Sequence, residues 1–231
     1  MNDATSSLSG IELFGDLDET DRDALARLCR WRRYAAQEYI IGHQDETNDV
    51  YFIVGGRVHV TIFSPSGKEV SFADLPAGRS FGELAAIDGR PRSATVIALE
   101  DTVLASMPAD VFRRVLNDHP EVAAKVMQFL AGLVRRLSDR VVEFSVLAVR
   151  NRIHAELLRL ARDQELDADK AVITPVPTHA DIASRVSTHR EAVTRELTAL
   201  ARDGLIERGD GVLVIADVPR LAQLVETGFQ E

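Results

Sequence analysis

Cys29 is the only cysteine in the chain. No disulfide can therefore close within it, and an iron–sulfur cluster, which takes about four cysteine ligands, is excluded. Cys29 continues an apolar pattern with Leu25 and Leu28 and reads as a small core residue. No uninterrupted apolar run approaches the ~20 residues that span a bilayer, so no membrane partner is expected. Met1–Gly10 is polar and small, without a signal-peptide pattern. It reads as a disordered leader, and the chain as cytoplasmic. The histidines His43, His59, His119, His154, His179 and His189 lack the paired spacing of a metal site and read as surface or structural residues. No set of residues forms a catalytic constellation. Neither an enzyme nor a bound metal or haem is expected.

The composition is that of an ordinary soluble protein, with 45% apolar and 27% charged residues. A length of 231 residues gives one or two domains with real cores. The net charge of −9 counts against a nucleic-acid partner only weakly, because charge on the docking face decides binding. Acid gathers in Asp16–Asp23, Asp45–Asp49 and Asp163–Asp169, whereas arginine gathers after residue 110.

Leu17–Arg30 reads as a helix with Leu17, Leu25 and Leu28 toward a core. From Arg32 to Met107 short apolar runs follow one another: Val50–Val54, Val58–Phe63, Val70–Leu75, Thr95–Ala98 and Val103–Met107. Turn signals separate them at Gly55-Gly56, Pro65-Ser66-Gly67, Pro76-Ala77-Gly78 and Asp88-Gly89. Strands of this length and spacing predict a small antiparallel roll or barrel.

Between these strands lies Phe81-Gly82-Glu83-Leu84-Ala85, followed by a short turn and Pro91-Arg92-Ser93-Ala94-Thr95-Val96. A helix start or backbone nest with a nearby guanidinium is a phosphate cradle. A glutamate about ten residues earlier can accept from a sugar hydroxyl. Phosphate and ribose within one short loop suggest a compact nucleotide.

This stretch closely resembles the phosphate-binding cassette of cyclic-nucleotide-binding domains. The resemblance implies that Glu83 accepts from the ribose 2′-OH, that Arg92 holds the cyclic phosphate, and that Ser93 reaches the phosphate or the base. Gly82, Leu84 and Ala94 fall where the family's backbone approaches the ligand. The implied effector is cyclic AMP, and a hydroxyl at Ser93 leaves cyclic GMP open.

Pro108 and Asp110 announce a helix, and after His119-Pro120 a long helical pattern begins. Its apolar positions include Val122, Val126, Phe129, Leu130, Leu133, Leu137, Val141 and Phe144, flanked by Arg135, Arg136, Asp139 and Arg140. These spacings of three and four suit a coiled-coil seam or a helix packed on its own domain. In the family the corresponding helix pairs across a two-fold axis, which implies a homodimer. Leu137 and Ser138 align with the family's base-contacting positions. Val142–Asn151 lacks glycine and proline, and the family's hinge falls near Ser145–Ala148, with Asn151 as a candidate cap. Arg152–Arg162 is an amphipathic helix, and Asp163–Lys170 an acidic loop.

Thr178–Asp181 and Thr188–Glu191 both fit the capping box, so two helices start ten residues apart, an arrangement of helix-turn-helix type. Ala183 is small where the helices cross. A rotation of ~100° per residue puts Val193, Leu197 and Leu200 on one face and Glu191, Arg195 and Thr198 on the other. Leu205–Arg208, Gly209-Asp210-Gly211 and Val212–Ile215 read as a hairpin wing. Thr188–Arg195 resembles the recognition segment of the Crp/Fnr superfamily. The resemblance assigns Arg190, Glu191 and Arg195 to bases of a TGTGA-like inverted repeat. Thr178, Thr188, His189 and Thr194 join them as DNA contacts. Ser187 stands where the family often has a turn glycine.

The expected fold is therefore α+β: an N-terminal antiparallel β-roll with a long dimerisation helix over about 120–147, and a C-terminal winged helix-turn-helix. The domains are 1–147 and 148–231. The expected function is cyclic-nucleotide-dependent transcription regulation on double-stranded DNA, with RNA polymerase a partner of an activator. The alternative is a constitutive regulator with a vestigial sensor.

Overall fold

The computed structural model describes residues 7–64, 69–162, 166–167, 169–209 and 211–229. The chain divides into two compact units, Met1–Leu133 and Val134–Glu231.

In the first unit the chain enters at the core. Leu8 and Ile11 are buried with Phe14 of the 3-10 turn Glu12–Phe14. The expected leader is thus tied down at Ser7–Gly10, because Leu8 has an apolar pocket to fill; Met1–Ser6 lie outside the described residues. Helix α1 covers Glu19–Arg27, capped by Asp18, which accepts from the Asp21 N–H at 2.8 Å. This is shorter than Leu17–Arg30. Leu28 is the C-cap and stands 49% exposed, because the chain turns into strand β1 at Arg30.

Strands β1 (Arg30–Tyr34), β2 (Tyr39–Ile41), β3 (Val50–Gly55), β4 (Arg57–Phe63), β5 (Glu69–Pro76) and β6 (Ser80–Phe81) follow. After helix α2 (Glu83–Asp88) come β7 (Thr95–Ala98) and β8 (Thr102–Met107). They form two four-stranded antiparallel sheets, β1-β8-β3-β6 and β2-β7-β4-β5. The five expected strands are present. The short β1, β2 and β6 carried no alternation long enough to read. The turn expected at Pro65-Ser66-Gly67 lies outside the described residues.

Helix α3 (Ala109–Asp118) and helix α4 (Pro120–Val146) come next. The apolar pattern of α4 serves two ends. Val122 and Val126 are buried in the first unit's core. Further along, Val134, Leu137, Val141 and Phe144 are 62%, 45%, 64% and 41% exposed, and Met127 is 64% exposed. Met127, Val134 and Val141 recur at intervals of seven, which is a heptad seam.

The second unit contains helix α5 (Val149–Arg162), strands β9 (Leu166–Asp167) and β10 (Lys170–Ile173), helices α6 (His179–Arg185) and α7 (Arg190–Arg202), strands β11 (Ile206–Gly209) and β12 (Val212–Ile215), and helix α8 (Val218–Gly228). Only Leu147 and Ala148 separate α4 from α5. Asn151 is not a cap: α5 starts two residues earlier, and Asn151 is buried against Gly228 of α8. The acidic stretch is not wholly loop either. Asp167 pairs with Lys170 and Leu166 with Ala171, while 163–165 and 168 lie outside the described residues. The sheet order β11-β12-β10-β9 makes the wing, whose expected turn residue Asp210 also lies outside them.

Glu156 of α5 organises this unit's polar interior. Its side chain is 1% exposed, with Arg140 Nη2 at 2.9 Å and Arg185 Nη1 at 3.4 Å; Arg159 Nη1 also donates to it. Arg140, at the flank of the α4 seam, is thereby turned onto α5.

Candidate nucleotide cradle and DNA-reading face

Arg92 is the largest fully buried side chain among the described residues, at 1% exposure. Burying a guanidinium requires partners. Nε donates to Thr47 Oγ1 at 3.0 Å, Nη1 to the Gly82 carbonyl at 3.0 Å and Nη2 to the Asp49 carbonyl at 2.8 Å. Three of its five N–H donors are thus engaged among the described residues, and two are left for a further acceptor. Cζ lies 5.6 Å from the centroid of Tyr51, which stacks on Phe81. Burial pulls the Arg92 pKa down, and Tyr51, Asp49, Asp45 and Glu83 oppose it.

The backbone fixes the arginine. Its N–H donates to the Asp45 carbonyl, and its carbonyl accepts from Gln44 N–H, both at 2.9 Å. Asp45 folds back on Gly42 N–H at 2.7 Å, and Thr95 Oγ1 accepts from His43 N–H at 3.0 Å. The loop before β3 is therefore strapped along residues 92–95.

Gly82 opens α2 at φ 84°, in the left-handed region. A Cβ there would meet Arg92 Nη1 at 2.6 Å and the Asp49 carbonyl at 2.9 Å. Conformation and space both demand glycine. Glu83 is buried beside it. Burial raises the Glu83 pKa, while its own backbone and the charge of Arg92 hold it down. Leu84 and Ala94 are half-buried and Ser93 is exposed. The structure therefore gathers Gly82, Glu83 and Arg92 into one cradle. Leu137 and Ser138 lie in the second unit, both exposed on α4.

In the second unit Thr178 caps α6 in a complete capping box with Asp181. The second expected box is absent. Ser187 takes φ 53°, and Thr188 N–H closes onto the Ala183 carbonyl at 2.9 Å. Thr188 is thus a turn residue, and α7 begins later, with His189 at the N-cap and no side-chain cap bond. Ile182, Ala183, Val186, Val193, Leu197 and Leu200 are buried between the helices and the sheet. Arg190, Glu191, Thr194, Arg195 and Thr198 share the exposed face of α7. Arginine matches guanine O6/N7 and glutamate cytosine N4, so this face carries the donors and acceptors of a base reader.

A cyclic nucleotide-binding domain model matches residues 31–119, and a Crp-like helix-turn-helix domain model matches 151–224. The chain belongs to the Crp/Fnr superfamily. This Crp/Fnr chain is 29% identical over 220 residues to the cyclic AMP receptor protein of Thermus thermophilus, covering 94% of this chain and 98% of that one. It is 28% identical over 175 residues to the CRP-like cAMP-activated global transcriptional regulator of Mycobacterium tuberculosis, covering 75% and 78%. A mutant of CooA from Carboxydothermus hydrogenoformans has the same fold, at TM-score 0.80 and 21% identity over 93% of this chain and 94% of that one. The Crp/Fnr chain is a transcription regulator. No helix among its described residues is long and apolar enough to cross a membrane.

Sequence reasoning missed the seat of Arg92. Thr47 and Asp49 are 45 and 43 residues upstream of it, in a loop without periodicity. It read His154 and His179 as surface or structural residues, without their partners. His154 is wholly buried, with Nε2 2.7 Å from Glu196.

Proposed function

We propose that this protein is a cytoplasmic, cyclic-nucleotide-responsive DNA-binding regulator. Cyclic AMP, with cyclic GMP a second candidate, is bound in the cradle of Gly82, Glu83, Leu84, Arg92, Ser93 and Ala94. Arg92 neutralises the cyclic phosphate and Glu83 accepts from the ribose hydroxyl. The observation that carries this reading is the fully buried Arg92, held rigid by three hydrogen bonds with N–H donors to spare. A preorganised guanidinium beside an acceptor carboxylate suits an anionic sugar phosphate.

The protein works as a homodimer, with 1–147 as sensor and dimerisation helix and 148–231 as DNA reader. The exposed heptad positions Met127, Val134, Leu137, Val141 and Phe144 support pairing, since a monomer would leave them in water. Arg190, Glu191 and Arg195 read each half of a TGTGA-like inverted repeat, with Thr178, Thr188, His189 and Thr194 beside them. Nucleotide binding favours the DNA-competent form, a population shift with coupling of about 1–3 kcal/mol.

Fluorescence anisotropy on a TGTGA-type duplex tests the reading. Cyclic AMP or cyclic GMP should tighten binding by about 5–150-fold. Arg190→Ala should cost about 1–3 kcal/mol on that duplex and little on a scrambled one. Equal affinity with and without nucleotide would favour a constitutive regulator.

A further inference from the structure

His179, the first residue of α6, stands between the recognition helix and the wing. Its Nδ1 lies 2.7 Å from Thr194 Oγ1 on α7, and its Nε2 lies 2.7 Å from Arg208 Nη2 on β11. Hydrogen-bond accounting fixes the roles. A guanidinium can only donate, so Nε2 accepts from Arg208. The Thr194 hydroxyl donates to the Arg190 carbonyl at 3.0 Å, so it accepts from the imidazole, and Nδ1 carries the proton. Both ring nitrogens of a neutral His179 are therefore in use. Burial, Arg208 and Arg190 all push the imidazole below its ordinary pKa, which keeps it neutral.

This bridge holds Arg208 by one amino group. Arg208 is exposed at the start of the wing. Its remaining N–H donors sit on an element tied to the exposed face of α7, where Arg190, Thr194 and Arg195 lie.

We propose that His179 is a positioning residue that locks the wing to the recognition helix and holds Arg208 as a further DNA-contacting cation, directed at a backbone phosphate. The proposal rests on the DNA-binding reading above. A phosphate is the fitting acceptor. A guanidinium with one edge already occupied still presents donors to an anion, and such a contact positions the protein without reading a base.

The test uses the full-length protein with saturating cyclic AMP. Anisotropy is measured on a TGTGA-type and a scrambled duplex from about 50 to about 200 mM salt. Arg208→Ala should weaken both duplexes alike and lower the salt slope by about 1. His179→Ala should reproduce that drop, and the double variant should lose no more than either alone. His179→Gln should keep the wild-type slope, because its amide can accept from Arg208 through Oε1 and donate to Thr194 through Nε2. Circular dichroism checks that each variant is folded; Arg208→Ala, at an exposed position, keeps the proposal testable if His179→Ala melts early. An unchanged slope in Arg208→Ala, or losses that add in full, would overturn the proposal while leaving the reading of Arg190 intact. A wild-type protein that binds neither duplex would overturn the DNA-binding reading and this proposal with it.

Discussion

Arg92 Nη1 donates to the Gly82 carbonyl at 3.0 Å, and a Cβ on Gly82 would lie 2.6 Å from the same nitrogen. The glycine thus both holds the guanidinium and gives it room. Gly82→Ala should destabilise the fold by at least about 1 kcal/mol from the left-handed backbone alone. It should also displace Arg92 and weaken nucleotide binding. Urea denaturation and nucleotide titration of the variant check the two effects; wild-type values in both would show that the cradle tolerates a methyl group.

Glu156 is a buried anion among Arg140, Arg159 and Arg185. Removing the carboxylate takes an acceptor from all three, although Arg140 and Arg159 keep Glu143 at 3.5 and 2.7 Å. Glu156→Ala should cost about 1–3 kcal/mol. Since the cluster ties α4, α5 and α6, the loss should appear as a lower melting transition. A loss below about 1 kcal/mol would place the arginines in solvent instead.

Two histidines should give opposite pH dependence. Burial lowers the His154 pKa below the ordinary 6.5; Glu196 opposes this and Arg150 adds to it. The unfolded chain then binds more protons than the native one as pH falls below about 6.5, so stability drops on the acid side. Burial also acts against charged His59, but Asp74 and Glu69 outweigh it and raise its pKa. Its contribution is complete below about 6.5 and is lost as pH rises through the folded value. In melting curves from about pH 5 to about pH 8, wild type should lose stability relative to His154→Gln as pH falls. It should lose stability relative to His59→Gln as pH rises. Parallel curves would contradict the assignments.

The closeness of Glu83 and Arg92 was legible because they lie within one short motif. Its support was not, because Thr47 and Asp49 reach Arg92 only through the folding of a distant loop. The strands that alternate cleanly were readable; β6, two residues long, exists through its pairing with β3. Periodicity identified α4 as apolar along its length. It could not tell that Val122 and Val126 fill a core while Val134 and Val141 stay exposed. At the second helix of the reader, the pattern of hydroxyl and acid at Thr188 and Glu191 pointed one residue early. The left-handed turn at Ser187, where the family often has glycine, moves the helix start. Leu28 failed for a related reason: helical phase was carried past the point where the chain becomes a strand.

The most direct measurement is calorimetric titration of cyclic AMP and cyclic GMP into the wild-type protein and into Arg92→Ala. The account predicts that wild type binds one or both nucleotides, while folded Arg92→Ala binds neither. Wild-type protein that binds neither nucleotide, or Arg92→Ala that binds as tightly as wild type, would contradict it.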